Sequence, residues 1–265
     1  MTGKASLQGP ILVVEDLHKS FGGVHAVAGA SFAVARGSIT ALIGPNGAGK
    51  TTLFDLVTGF GAPDRGAVRF EGRDISGLPP HRITRLGLVR TFQLTRVFAA
   101  MTVLENIMLA APRQPGEALT KLMTSPRRAK RAEEANRHRA LALLSAFNLE
   151  SKAADYAGTL SGGQRKLLEL ARALMVEPRL VLLDEPMAGV NRVLGQRLLD
   201  DVDERRREDG TTFLFVEHDM DVVMTRADRV IVMAEGVVIA EGPPETIRAD
   251  KQVIDAYLGA ARSPL

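Results

Sequence analysis

The stretch that most constrains this chain is Gly44-Pro45-Asn46-Gly47-Ala48-Gly49-Lys50-Thr51, preceded by the apolar run Ile39–Ile43 and followed by a helical pattern. Small residues let backbone wrap closely around a phosphate chain, and the amides of the loop and the helix N-terminus supply positive potential. Lys50 then reaches the β and γ phosphates, and the Thr51 hydroxyl, next to Thr52, ligates Mg2+. A buried strand running into such a loop and then a helix belongs to an α/β fold with a largely parallel sheet, so the loop predicts both a nucleoside triphosphate site and an architecture.

The rest of the sequence agrees with that architecture. Residues 11–17, 31–34 and 67–70 read as strands of an N-terminal β layer, and residues 88–92 as a further strand after a short helix that follows Pro79. Thr102 and Glu105 have capping-box spacing and open a helix through Ala111, after which Pro112, Pro115 and Gly116 break the pattern. A long helix free of internal Gly and Pro is predicted over 126–147. From residue 180 the α/β alternation resumes: strand 180–183, helix 191–208, strand Thr212–Val216, strand 229–233, then a hairpin turn at Glu235-Gly236 into 237–240. The expected division is an α/β core over 1–93 and 176–242, a helical subdomain over 94–175 and a C-terminal helical extension over 243–265.

Composition removes several function classes. There are no cysteines, so disulfides, thiol nucleophiles and Cys-ligated zinc are excluded. No apolar run approaches the roughly 18 residues of a membrane span, and only one Lys and no apolar stretch precede Ile11, so neither a span nor a secretory signal is expected. The net charge of +3 is too small over 265 residues to point to nucleic acid, and none is expected as a partner. The charge is local: residues 126–140 carry Arg127, Arg128, Lys130, Arg131, Arg137 and Arg139 against Glu133 and Glu134. That face suits solvent, or contact with a partner or acidic lipid headgroups.

Two further stretches supply chemistry. Leu180-Val181-Leu182-Leu183-Asp184-Glu185 is a buried strand ending in two acids; Asp184 can reach the metal, and Glu185 can face the attacking water as general base. Leu160-Ser161-Gly162-Gly163-Gln164, with Ser161 23 residues before Asp184, opens a helix over 164–175. Taken alone, Ser161 could be an ordinary N-cap followed by flexible glycines.

Together, in this order and spacing, with Gln93 after Thr91-Phe92 and with a lone His218, these motifs resemble the ATP-binding cassette (ABC) family from Leu12 to Gly259. The resemblance implies a phosphate-loop NTPase core of ABC type with an N-terminal antiparallel β layer and a helical subdomain insertion. It implies ATP and Mg2+ as ligands, with Thr51, Gln93 and Asp184 around the metal and Lys50, Gln93, Glu185 and His218 in catalysis. It places each ATP between the phosphate loop (Gly44, Pro45, Asn46, Gly47, Ala48, Gly49, Lys50, Thr51, Thr52) of one subunit and Ser161, Gly162, Gly163 and Gln164 of a second. Phe21 stands where the family stacks adenine, more often with Tyr, so stacking survives and a hydroxyl contact is lost. Asn191 stands where the family often has Asp, which removes a charged contact across the dimer. His18, His25, His81 and His138 receive no role.

The run from Pro79-Pro80-His81-Arg82-Ile83 through Arg90-Thr91-Phe92-Gln93, the Thr102 helix start, the long insertion and the ending Asp255-Ala256-Tyr257-Leu258-Gly259 look like the ATP-binding subunits of branched-chain amino-acid importers. This implies a peripheral protein at the cytoplasmic face of the inner membrane, partnered by a second ATPase subunit, by integral membrane permease subunits and, indirectly, by a periplasmic binding protein. The alternatives are a cassette for another cargo, such as urea, short amides or lipopolysaccharide, and a soluble cassette ATPase outside transport. The latter predicts long heptad insertions or two cassettes per chain, and neither is present.

Overall fold

A computed structural model describes residues 9–91, 97–112 and 126–260. It separates into two compact units: Met1–Arg90 with Arg179–Pro186 and Asp203–Leu265, and Thr91–Pro178 with Met187–Val202.

The first unit contains β1 (Leu12–Phe21), β2 (Val24–Val34), β3 (Ile39–Ile43), β4 (Arg65–Phe70), β5 (Arg73–Asp74), β6 (Leu88–Arg90), β7 (Leu180–Asp184), β8 (Thr212–Val216), β9 (Arg229–Ala234) and β10 (Val237–Gly242). Four form an antiparallel sheet in the order β2-β1-β4-β5, and six form a second sheet in the order β10-β9-β3-β8-β7-β6. The second sheet is parallel except for β10, which returns antiparallel to β9 through the Glu235-Gly236 turn. Every residue of β3, β7 and β8 is buried, as expected of parallel strands with both faces covered, and this explains their near-continuous apolar runs.

β1 and β2 are longer than the apolar signal, which covered only 11–17 and 31–34. Their ladder continues through His18, Lys19 and Ser20 to pair Phe21 with Val24 around the Gly22-Gly23 turn. An antiparallel pair with one wet face tolerates polar residues that a hydrophobic scan reads as loop. β6 ends at Arg90; Phe92 and Gln93 lie outside the described residues. One core draws on both sheets and on helix Lys50–Val57, whose Leu53 and Phe54 are wholly inaccessible. Each such side chain contributes about 1.5–3 kcal/mol of burial and anchors the helix that carries the phosphate loop.

In the second unit, Thr102 caps helix Val103–Met108 through a reciprocal box: its hydroxyl accepts from Glu105 N at 3.2 Å and its own N–H donates to Glu105 Oε2 at 2.7 Å. The helix is one turn shorter than predicted. Asn106, fully buried, explains why a polar residue belongs there: its amide donates to the carbonyls of Phe98 and Thr102 and accepts from Phe98 N at 2.9 Å, fastening the preceding loop. The basic helix runs Pro126–Ala146, with Arg127, Arg128, Lys130 and Arg131 exposed and Ala129 and Ala140 buried. The Asn191 side chain accepts from Leu194 N at 2.9 Å and so caps helix Arg192–Asp209.

Candidate functional site

The carboxyl ends of β3, β8 and β7 are neighbours, so the segment that each strand runs into is delivered to one edge of the sheet. β3 delivers Gly44 to Thr51, β7 delivers Asp184 and Glu185, and β8 delivers Glu217 and His218. A cleft in the first unit is lined by Asn46 to Thr52, Glu185 and His218, together with Val24, His25, Ala26, Val216 and Glu235.

The loop's shape is set by approach distances that exclude a side chain. At Gly44, φ is +151° and a Cβ would lie 2.0 Å from Met233 O; at Gly49, φ is +96° and a Cβ would lie 2.2 Å from Ala26 O. Gly49 is also the N-cap of helix Lys50–Val57, which aims the helix's first amides into the cleft. From outside, Gly236 N–H donates to Ala48 O at 3.1 Å while Gly236 O accepts from Ala28 N at 2.8 Å. Gly44 N–H faces the Tyr257 hydroxyl on helix Lys251–Ala260, which opposes the upward push of burial on that phenol.

The Lys50 ammonium donates to the Gly44 and Pro45 carbonyls at 2.7 and 2.9 Å, which centres it in the loop. Burial lowers its pKa from 10.5, opposed by the negative charges of Glu185 and Asp184. Thr51, the next residue, is exposed at the helix start. Asp184 is 6% exposed and paired to Arg90. A hydroxyl and a carboxylate are the hard oxygen donors that Mg2+ takes alongside phosphate oxygens, so this donor set fits that ion.

Glu185 has φ +48° and donates its N–H to Val216 O at 3.0 Å. A left-handed conformation costs a non-glycine residue about 1–2 kcal/mol, which places strain on the residue read as general base. Its Oε1 lies 2.9 Å from His218 Nε2. The contact follows from the register of β7 and β8, which pairs Asp184 with Val216 and so brings Glu185 out beside Glu217, one residue short of His218. Asp219 is the N-cap of helix Met220–Arg226, its side chain accepting from the Asp221 and Val222 amides.

Phe21 stands 59% exposed at the end of β1, with Lys19 Nζ 5.5 Å from its ring centroid. In the second unit, Ser161 caps helix Gly162–Met175 by a second reciprocal box with Gln164. No atom would crowd a Cβ at Gly162, whereas one at Gly163 would meet Leu194 Cδ2 at 2.2 Å. Gln93 lies outside the described residues.

Three residues went unassigned by sequence. His25, held by Ser20 Oγ at 2.8 Å, and Glu235 both line the cleft. Arg90 pairs with Asp184, and its signal was present: a cation inside the strand read over 88–92 of a buried sheet needs an acid partner.

The ABC transporter family model matches residues 27–188, and that of the branched-chain amino acid ATP-binding cassette transporter matches residues 237–262. The chain is 44% identical over 255 residues to the probable branched-chain amino acid transport ATP-binding protein LivG of Archaeoglobus fulgidus, covering 96% of this chain and 98% of that one. It is 43% identical to the high-affinity branched-chain amino acid transport ATP-binding protein BraF of Pseudomonas aeruginosa, covering 95% and 99%. Among solved structures, the ADP conformation of an ATP-binding cassette of an ABC transporter superposes with a TM-score of 0.81 at 38% identity, covering 95% of this chain and 99% of that one.

Proposed function

The chain belongs to the ABC transporter family as an ATP-hydrolysing subunit, and on that premise we propose that it powers the import of branched-chain amino acids, with Glu185 as general base. The observation that carries the chemical part is the 2.9 Å contact between Glu185 and His218 beside the phosphate loop. With its Nε2 proton donated to Oε1, His218 fixes the orientation in which the carboxylate meets the attacking water. The amides of the loop and the Lys50 ammonium hold the phosphates, and the exposed ring of Phe21 stacks the base. Thr51 and Asp184 would hold Mg2+, which would supply charge neutralisation to the bound phosphates. Gln93 is assigned to the metal and the attacking water by the family resemblance alone.

Ser161 and the amides of Gly162 and Gly163 present donors at a helix N-terminus, suited to the γ-phosphate bound by a second ATPase subunit. ATP then completes the interface between two subunits, and hydrolysis removes the bridging charge. No helix among the described residues is long and apolar enough to cross a membrane. The transport path belongs to permease subunits, with this chain peripheral at the cytoplasmic face and a periplasmic binding protein delivering cargo. The C-terminal match and the two curated relatives support this cargo. The test is to purify the chain with its membrane partners, identify the ligand of the co-purifying binding protein and measure ATP-dependent uptake. Leucine uptake competed by isoleucine and valine is expected; uptake of urea or a short amide instead would overturn the cargo.

A further inference from the structure

Arg90 closes β6 with its side chain 6% exposed, as buried as Asp184. Its guanidinium bridges two acids: one nitrogen donates to Asp184 Oδ2 at 2.7 Å, and another to Asp55 Oδ1 at 2.5 Å. The same group lies 5.6 Å from the ring centroid of Phe54, an inaccessible residue of the core. A buried ion pair is weak evidence for stability, because apolar residues of similar volume often serve as well. What a planar fork offers and a methyl group does not is fixed geometry.

The two acids held by that fork are tied to the two halves of the metal donor set: one is the donor Asp184 itself, and the other, Asp55, shares a helix with Thr51. Asp184 ends β7. Asp55 is one helical turn beyond Thr51 on helix Lys50–Val57, an i,i+4 relation that puts both on one face. We propose that Arg90 is a positioning residue for Mg2+: it holds one oxygen of Asp184, leaves the other for the metal, and through Asp55 keeps that carboxylate in register with the Thr51 hydroxyl. This rests on the reading of Thr51 and Asp184 as the metal donors.

The experiment measures nucleotide affinity by anisotropy of a fluorescent ATP analogue, in EDTA and across a Mg2+ titration. For Arg90→Met, the Mg2+ concentration at half effect should rise roughly tenfold or more, the size of one lost charge-assisted hydrogen bond. Affinity in EDTA should stay within about twofold, because the phosphate loop is untouched. Arg90→Lys, which offers a point charge to one acid at a time, should restore part of the shift, and Asp55→Asn should give a smaller shift in the same direction. An unchanged Mg2+ requirement in folded Arg90→Met overturns the inference. So does a lowered requirement, which would make Arg90 a competitor of the metal, and so does an equal loss with and without Mg2+, which would make its role merely structural. Should Arg90→Met fail to fold, Asp55→Asn decides, with an unchanged requirement counting against it. Wild-type protein that binds the nucleotide equally with and without Mg2+ overturns the metal reading itself, and the inference with it.

Discussion

Glu185→Gln separates binding from chemistry. The replacement keeps the shape of the side chain and an oxygen that accepts from His218 Nε2 across the present 2.9 Å, so the cleft's geometry should persist. What disappears is a group able to take a proton from water. General-base catalysis is worth about 10²–10⁴-fold, or about 3–5 kcal/mol of barrier. Steady-state phosphate release by the purified chain should fall by that factor, while ATP affinity stays within about threefold because no group that holds phosphate is altered. On a sizing column run with Mg2+ and ATP, the variant should accumulate as ATP-held dimers, since the bridging charge is no longer removed. Hydrolysis within about threefold of wild type would refute the argument, most sharply if His218→Asn abolished turnover instead and so moved the base to the imidazole.

The phosphate loop yields three other outcomes. Lys50→Ala removes a charged donor and should weaken ATP binding roughly 10- to 100-fold, read by titration calorimetry; unchanged affinity would break the assignment. Gly49→Ala forces a Cβ to 2.2 Å from Ala26 O at a positive φ, so nucleotide affinity and melting temperature should fall together, by at least about 1–2 kcal/mol of stability. Because burial lowers the pKa of Lys50 from 10.5, the amine loses its proton earlier than an ordinary lysine as pH rises. ATP favours the charged form, so its affinity should decline with alkalinity at pH values below 10.5 and its binding should take up a proton there, a dependence that Lys50→Arg should push higher.

Features whose physics is local were the ones open to reading in sequence. The phosphate loop was legible because close backbone approach demands small residues at fixed offsets, and Gly44 and Gly49 meet carbonyls 2.0 and 2.2 Å from where a Cβ would sit. β3 and β8 were legible to the residue because both their faces are buried. The outer halves of β1 and β2 were not, since their pairing rests on backbone bonds beneath polar side chains. Nor was the meeting of Glu185 with His218, which depends on the parallel register of β7 and β8 across 33 residues of chain. His25 escaped for a related reason: its company comes from the hairpin, not from its neighbours in sequence.

The left-handed backbone of Glu185 implies a conflict between endurance and activity. A residue at φ +48° would sit more comfortably as glycine or asparagine, so Glu185→Gly should relieve roughly 1 kcal/mol of backbone strain while removing the base. The protein should then melt a few degrees higher and lose about 10²–10⁴-fold of its turnover. Selection for thermal persistence alone would steer this position towards a nearly inert cassette.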